Sequence, residues 1–564
     1  MRLAALALTA GIAYHTLITS VLRSPPVRYK EKAMLKLPTA TYDWALLHLI
    51  REGDTDLFPS PFEIRALRAQ WSVVEPQLAN LDLTNYAWRG GRRFLVPKKM
   101  LAFRVATQLD PLDSLVIAAV IREFGPPLEA RRLPVAEGRV FSYRLAPAPD
   151  GRLYAAAPTW HDFWKASLDR AERPGCTHVV LADVADFYNQ VYHHVIERQL
   201  EAACLPEPAA RVIKRFLQTL TGKVSRGLPV GPHVSHILAE SALDPTDRSL
   251  LSHGYDFCRY VDDFHIFAPS EEAAVGALYD LARILDNQQK LMLQNDKTQV
   301  MPAADFAALA RAMLIDRPAN DREKEILKLI ASKTGGDPYR EVSLADLTPN
   351  ELRVLSREVL EELLSHYLNA DKVDYPRLSW VLRRLTQVGA PGAVEFLLSR
   401  IAALSPVLGP VARYVMAAVP NYSGDRQAIG ELVVRALDLP VVRKSPYLQA
   451  VLLDVLATMP ELDHADAVTA RYYGADPLVR REILLVAGSG GRGDWLRDRR
   501  SEFQEMDAWT RRALVNAAVA LPHEEARFWF DSVRGRMTAM EKLVALTALP
   551  TEQLKLGEIR VALD

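Results

Sequence analysis

At 564 residues the chain is too long for one ordinary core, so two or three domains are expected. A hydrophobic share of 49% with 24% charged residues is that of a globular soluble protein and excludes a disordered chain. Lys+Arg and Asp+Glu are both 69, so the net charge is zero and a nucleic-acid partner would have to be held by local patches.

Residues 3–21 are apolar, with Arg2 before them and Arg23, Arg28, Lys30 and Lys32 after. A signal peptide, a membrane anchor, an ordinary helix and an upstream start with Met34 as the working initiator all compete. Thr9, Tyr14, His15, Thr16 and Thr19 dilute the run as a membrane span. Residues 35–90 read as mostly helical, broken at Pro59 and Pro61. From Arg89 to Arg144 there are eleven Lys/Arg against five Asp/Glu, ordinarily a solvated basic face. The aromatics Trp160, Phe163 and Trp164 follow, and their spacing predicts packing. Cys176, Cys204 and Cys258 form no metal-ligand pattern; they predict a reducing compartment and core-filling roles.

Three stretches then stand out. Val179 to Asp183 is a buried strand ending in an aspartate, followed by Phe187-Tyr188 at the start of a helix. Arg226 to Ser235 is a Gly/Pro-rich loop running into the apolar helix Ile237 to Leu243. Phe257 to Phe267 has two apolar, β-prone runs around Asp262-Asp263, the pattern of a tight hairpin with its carboxylates at the turn. Beyond about residue 340 amphipathic helical segments recur at 351–368, 376–388, 391–403, 409–419, 427–437, 446–458, 477–488, 507–521 and 538–548. Helix pairs of about 33–40 residues fit a HEAT-type solenoid, with an irregular bundle as the alternative. Residues 341–564 hold 27 Lys/Arg and 30 Asp/Glu, which is not plainly a nucleic-acid groove.

In order and spacing the three stretches resemble motifs A, B and C of reverse transcriptases, with Tyr260-Val261-Asp262-Asp263 as the Tyr-x-Asp-Asp box. Leu293 to Thr298 resembles motif D. Gly227, Pro229, Gly231 and Ser235 match motif B, whereas Val230 departs from the glutamine of template-copying enzymes. Gly-Leu-Pro-Val-Gly-Pro, the following Ile237 to Glu240 and Phe187 to His194 are more similar to the abortive-infection and defence-associated bacterial reverse transcriptases, some of which carry a helical C-terminal domain. Val96 to Asp113 looks like the fingers of these enzymes.

The resemblance implies an α+β right-hand polymerase of fingers and palm followed by an all-α HEAT-like domain, divided as 1–33, 34–335 and 336–564. It implies two Mg²⁺ ions, with Mn²⁺ as a substitute, because phosphoryl transfer needs charge compensation at both attacking and leaving oxygens. Asp183 and Asp262 are then the bridging ligands, Asp263 the accessory one, and the Val184 carbonyl a further donor; Asp186 is expected to point away. Arg104 first and Lys98 second are expected at the triphosphate. Tyr188 is expected under the sugar, Gly231 where a backbone approaches primer or nucleotide, and Lys297 at the leaving pyrophosphate. The aromatics 160, 163 and 164 are expected between fingers and palm.

The implied partners are dNTPs with RNA, DNA or both. A non-coding RNA, self-primed DNA and an oligomer stay open. Export makes little sense for such an enzyme, so a docked or disposable N-terminal helix, a cytoplasmic location and no stable membrane association are expected. A templated enzyme of a mobile element, untemplated protein-primed synthesis and a binding scaffold with an inactive palm remain as alternatives.

Overall fold

The computed structural model describes residues 34–560 apart from 54, 56, 223, 315–319, 336–339, 551–553, 555, 557 and 558. The apolar segment 1–33 and the readings made of it lie outside the described residues.

Among the described residues, helices Thr39–Glu52, Glu63–Ala69 and Trp71–Asn80 come first, and Pro59 and Pro61 fall in the break between the first two. An antiparallel hairpin follows, β1 (Gly91–Lys99) and β2 (Ala102–Leu109), irregular between Pro97 and Lys99. Helix Pro111–Phe124 starts with Asp110 as its cap, accepting the Leu112 amide, and with Pro111 in the first turn. Most of that helix is buried, packed against helices Thr39–Glu52 and Glu207–Leu220.

β3 (His178–Asp183), β4 (Asp256–Tyr260), β5 (Asp263–Ala268) and β6 (Gln299–Pro302) form an antiparallel sheet in the order β4-β5-β3-β6. Side chains alternate between two faces, as strand geometry requires. Val180, Ala182, Phe257, Phe264 and Ile266 join the main core with helices Ser235–Ser252 and Glu271–Gln289. Val179, Cys258 and Phe267 join a second cluster under helices Trp160–Ala171 and Ala303–Leu314. Phe163 and Trp164 belong to this second cluster, against His265 and Phe306. Phe163 and Trp164 therefore pack on the back of the sheet, not between fingers and palm, and Trp160 is exposed against Trp164. Of the cysteines Cys258 alone is a core residue; Cys176 is half-buried and Cys204 exposed.

Helix Asp321–Thr334 packs on the helices after it, with Glu323 bonded to Tyr367 and Arg377. From there helices separated by one or two others stack in series: Tyr375–Thr386, Leu408–Ala418, Pro446–Thr458, Pro477–Ser489, Ala508–Ala517 and Ala539–Ala548. Successive starts at 446, 477, 508 and 539 are evenly spaced. The apolar stretch Ile401–Asn421, long enough by composition to cross a membrane, lies partly in this stack, with Leu408, Val411, Tyr414 and Val415 buried.

The helical stack holds the β1–β2 hairpin from one face. Arg92 lies 3.7 Å over the Trp509 ring, Phe58 sits between Phe94 and Tyr447, and Tyr447 donates to Leu57 O at 2.9 Å. Buried ion pairs Arg512–Asp110 (2.7 Å) and Arg481–Glu63 (2.9 Å) complete the contact. Tyr447→Phe keeps the ring and loses the Leu57 hydrogen bond. It should cost about 1 kcal/mol, read as a small fall in thermal midpoint; an unchanged midpoint would mean that the contact adds nothing.

Candidate active site

The register of the sheet places Asp183, the last residue of β3, directly opposite Asp263, the first of β5. Asp262 occupies the two-residue turn between β4 and β5. Carboxylate oxygens of all three lie within 4.8 Å of one another. Like charges facing each other across a strand pair are destabilising. Burial first, and Asp183 second, push the Asp262 carboxyl up to about 6. Burial and then Asp262 and Asp183 raise Asp263 as well. Lys297 partly offsets this repulsion, with Nζ 2.8 Å from Asp183 Oδ1. A convergent set of hard oxygen donors fits Mg²⁺ or Mn²⁺.

The turn is strained. Val261 has φ +55°, unusual for a β-branched residue. Three hydrogen bonds hold its backbone and that of Asp262. Val261 N donates to Ser142 Oγ (2.9 Å), Arg259 Nη1 to Val261 O (2.8 Å) and Val184 N to Asp262 O (3.1 Å). Behind them lies a buried charge network in which Arg259 is bidentate on Asp247 (2.7 and 2.6 Å) and 3.0 Å from Glu240. Glu240 also accepts from Arg132 (2.6 Å) and Ser142. The sequence does carry a signal for this support, which the motifs alone do not show. Arg259 interrupts an apolar strand and Glu240 an apolar helix, and a buried charge requires a partner.

Residues 134–326 match the family model described as reverse transcriptase (RNA-dependent DNA polymerase). The chain carries a reverse transcriptase domain. That domain is the one of an RNA-directed DNA polymerase, a nucleotidyltransferase. No curated protein sequence matches the chain. Among solved structures, it is similar to a Candida albicans telomerase in complex with a telomeric RNA fragment, at 12% identity and TM-score 0.30. That match covers 64% of this chain and 66% of the other. A Candida tropicalis telomerase with the same kind of RNA gives 10% and 0.30 (66% and 64% covered), and the apo form 9% and 0.29 (88% and 74%). The chain thus spans just under two thirds of the first two telomerase chains.

Within the reverse transcriptase domain, Tyr188 is half-buried and its hydroxyl oxygen lies 2.6 Å from His236 Nδ1. The Val184 bridge to Leu293 is made through Asp183 O and Ala185 N, so it does not draw on the Val184 carbonyl. Asp186 is exposed, bonds Asn189 and Gln190 of its own turn, and is not part of the cluster of three aspartates. Gly231 has φ +125°, and a Cβ there would come within 2.9 Å of Thr107 O and Thr55 Oγ1. The close approach that requires glycine is thus to β2, where Thr107 N also donates to Val230 O (2.8 Å). Upstream of the matched residues, Lys98 is exposed at the irregular end of β1, near enough for its charge to draw the Asp262 carboxyl down. Arg104 is exposed on β2, paired with Val96.

A carboxyl raised in the folded state binds its proton more tightly there than in the unfolded chain. Stability should therefore fall as pH climbs from the ordinary carboxylate range past about 6. A divalent cation needs the ionised form, so its binding should strengthen over the same interval. Added Mg²⁺ should raise the thermal midpoint at pH 8 and barely move it at pH 5. An equal shift at both pH values, or an unreduced shift in Asp262→Asn, would count against the site.

Proposed function

We propose that the chain is a reverse transcriptase of bacterial antiphage defence, polymerising dNTPs on RNA. The observation that carries the polymerase reading is the convergence of Asp183, Asp262 and Asp263 inside the matched domain. Asp183 and Asp262 would be the principal ligands of two Mg²⁺ ions, with Asp263 and the Val184 carbonyl as further donors. When bound, the pair supplies charge compensation for the attacking 3′-oxygen and the leaving pyrophosphate. Lys98 and Arg104 bind the triphosphate from the hairpin, by point charge and planar fork respectively. Lys297 holds positive charge beside the leaving group. Tyr188 lies against the sugar.

The defence role rests on the motif B resemblance and on the helical tail. We read residues 34–335 as fingers and palm, and 336–564 as a HEAT-like array. The serial stacking of helices and the even spacing of the last four support that reading. The protein is cytoplasmic in this reading, with a non-coding RNA or self-primed DNA as further partner.

Purified protein given a primed RNA and dNTPs should make DNA complementary to that RNA. Product unrelated in sequence to the RNA would overturn RNA direction. In a bacterial host, the wild type should lower phage plaque formation and Asp262→Ala should not; equal protection from both would remove polymerisation from the defence role.

A further inference from the structure

Tyr188 is held from two directions. Its carbonyl accepts the Leu228 amide at 2.8 Å, which fixes the backbone. Its hydroxyl is fixed by His236 Nδ1 at 2.6 Å, and the two rings meet edge to face with centroids 5.9 Å apart. His236 is in turn unusually constrained. It is the second residue of helix Ser235–Ser252. The Tyr154 hydroxyl donates to His233 O (2.7 Å) and accepts from Ile237 N (3.1 Å), pinning the chain on both sides of it. Tyr143 stacks flat on the imidazole, with centroids 3.7 Å apart and planes 5° from parallel.

Tyr143 reaches that position only with φ +41°, a left-handed conformation that is unfavourable for an aromatic residue. Its carbonyl accepts from Arg132 at 2.8 Å, and Arg132 also binds Glu240. The buried network that holds the Asp262 turn thus also holds Tyr143. Strain of this kind persists where surrounding structure imposes it, and it clusters at functional sites.

We propose that His236, backed by Tyr143, is the positioning residue that locks the Tyr188 ring and so sets how strictly the site rejects ribonucleotides. The inference rests on the reading that Tyr188 lies against the sugar of the incoming nucleotide. A steric filter works only if it does not yield. Two short χ torsions leave a lone tyrosine free to tilt, and the hydrogen bond to a clamped imidazole removes that freedom. Burial drives the imidazole pKa down to about 3, so the ring stays neutral and can share one hydrogen bond with the hydroxyl in either tautomer.

The test is the ratio of kcat/KM for a matched dNTP to that for the NTP. Tyr188→Phe keeps the ring and removes the hydroxyl; His236→Leu keeps bulk and removes the hydrogen-bond partner; His236→Asn offers a polar atom near the Nδ1 position. The first two cut opposite ends of one bond, so each should lower the ratio about fivefold. The double variant should fall no further, and His236→Asn should stay within about twofold of wild type. A purely structural role would lower activity toward both nucleotides and leave the ratio alone. Wild-type ratios in both Tyr188→Phe and His236→Leu, while Tyr188→Ala lowers the ratio, would overturn the His236 proposal and leave the Tyr188 reading standing. An unchanged ratio in Tyr188→Ala would bring down that reading and the proposal with it. Should His236→Leu fold poorly, Tyr188→Phe decides alone.

Discussion

Asp262→Asn should abolish nucleotide incorporation, by on the order of 10³-fold or more, in a protein at least as heat-stable as the wild type. The two halves of this expectation have one cause. Asp262 stands in a turn whose neighbours Asp183 and Asp263 are already opposed across the strand pair. The upward displacement of its carboxyl to about 6 measures how unfavourable the ionised form is in the folded chain. Asparagine has the same shape and no charge, so it relieves that repulsion while the backbone bonds of Val261 and Asp262 persist. It also removes a charged oxygen donor from the cluster that would hold a divalent cation, which a neutral amide replaces poorly. Activity and stability therefore move in opposite directions, as they do where a site is built at the expense of the fold. Primer extension and a melting curve on the same preparation suffice. Substantial incorporation by the folded variant would remove Asp262 from the site. A large fall in midpoint would show that the turn needs its charge for folding.

Which parts of this arrangement are legible in the sequence follows from the range of the interactions. The hairpin around Asp262 is a local pattern, and so is the strand that ends at Asp183. Their apolar alternation and the Gly/Pro loop before helix Ser235–Ser252 identify these elements without any knowledge of the fold. The tail is legible for the same reason: the segments read at 446–458 and 477–488 match helices Pro446–Thr458 and Pro477–Ser489 almost residue for residue. Of the helices missing from the sequence reading, Gly493–Arg499, of seven residues, has too few turns to show a period, whereas His523–Val533 is as long as the helices that are legible and has no such explanation.

What is not legible depends on pairing between distant segments. The facing of Asp183 and Asp263 is a matter of register, which a one-residue slip would reverse. Gly231 carries a correct local signal, a position intolerant of a side chain. The partners that make it intolerant are Thr107 in β2 and Thr55, both far away in sequence, and not something that sequence spacing can supply. Phe163 and Trp164 are packing residues, as their spacing predicts, but the surface they cover is fixed by Phe306 and His265, again remote in the chain. Ser142 and Tyr143 are ordinary residues in an irregular segment, and only the hydrogen bond to Val261 N and the stack on His236 give them meaning.

Tyr188→Ala should lower discrimination against ribonucleotides by about 10- to 100-fold. A DNA polymerase must reject a nucleotide that differs by one added hydroxyl. A hydrogen-bonding pocket would favour the added group, so rejection has to be steric, by a ring that leaves no room at the sugar's 2′ carbon. The ring has to be near the reacting phosphate and unable to move aside. Tyr188 meets the first requirement through its place in the chain, five residues after Asp183 and close enough to Asp262 for that charge to act on its hydroxyl. It meets the second through Leu228, His236 and the contact with Phe187, whose own ring is buried in the core. Alanine leaves a gap that the surrounding residues, each tied by its own bonds, cannot collapse to fill. The NTP should therefore gain kcat/KM while the dNTP loses some through poorer stacking. Measured as the ratio of the two in wild type and variant, under single-nucleotide extension on one template, the effect should exceed about tenfold. An unchanged ratio in an active, folded variant would assign sugar selection to some other part of the site and leave Tyr188 as a packing residue of the palm.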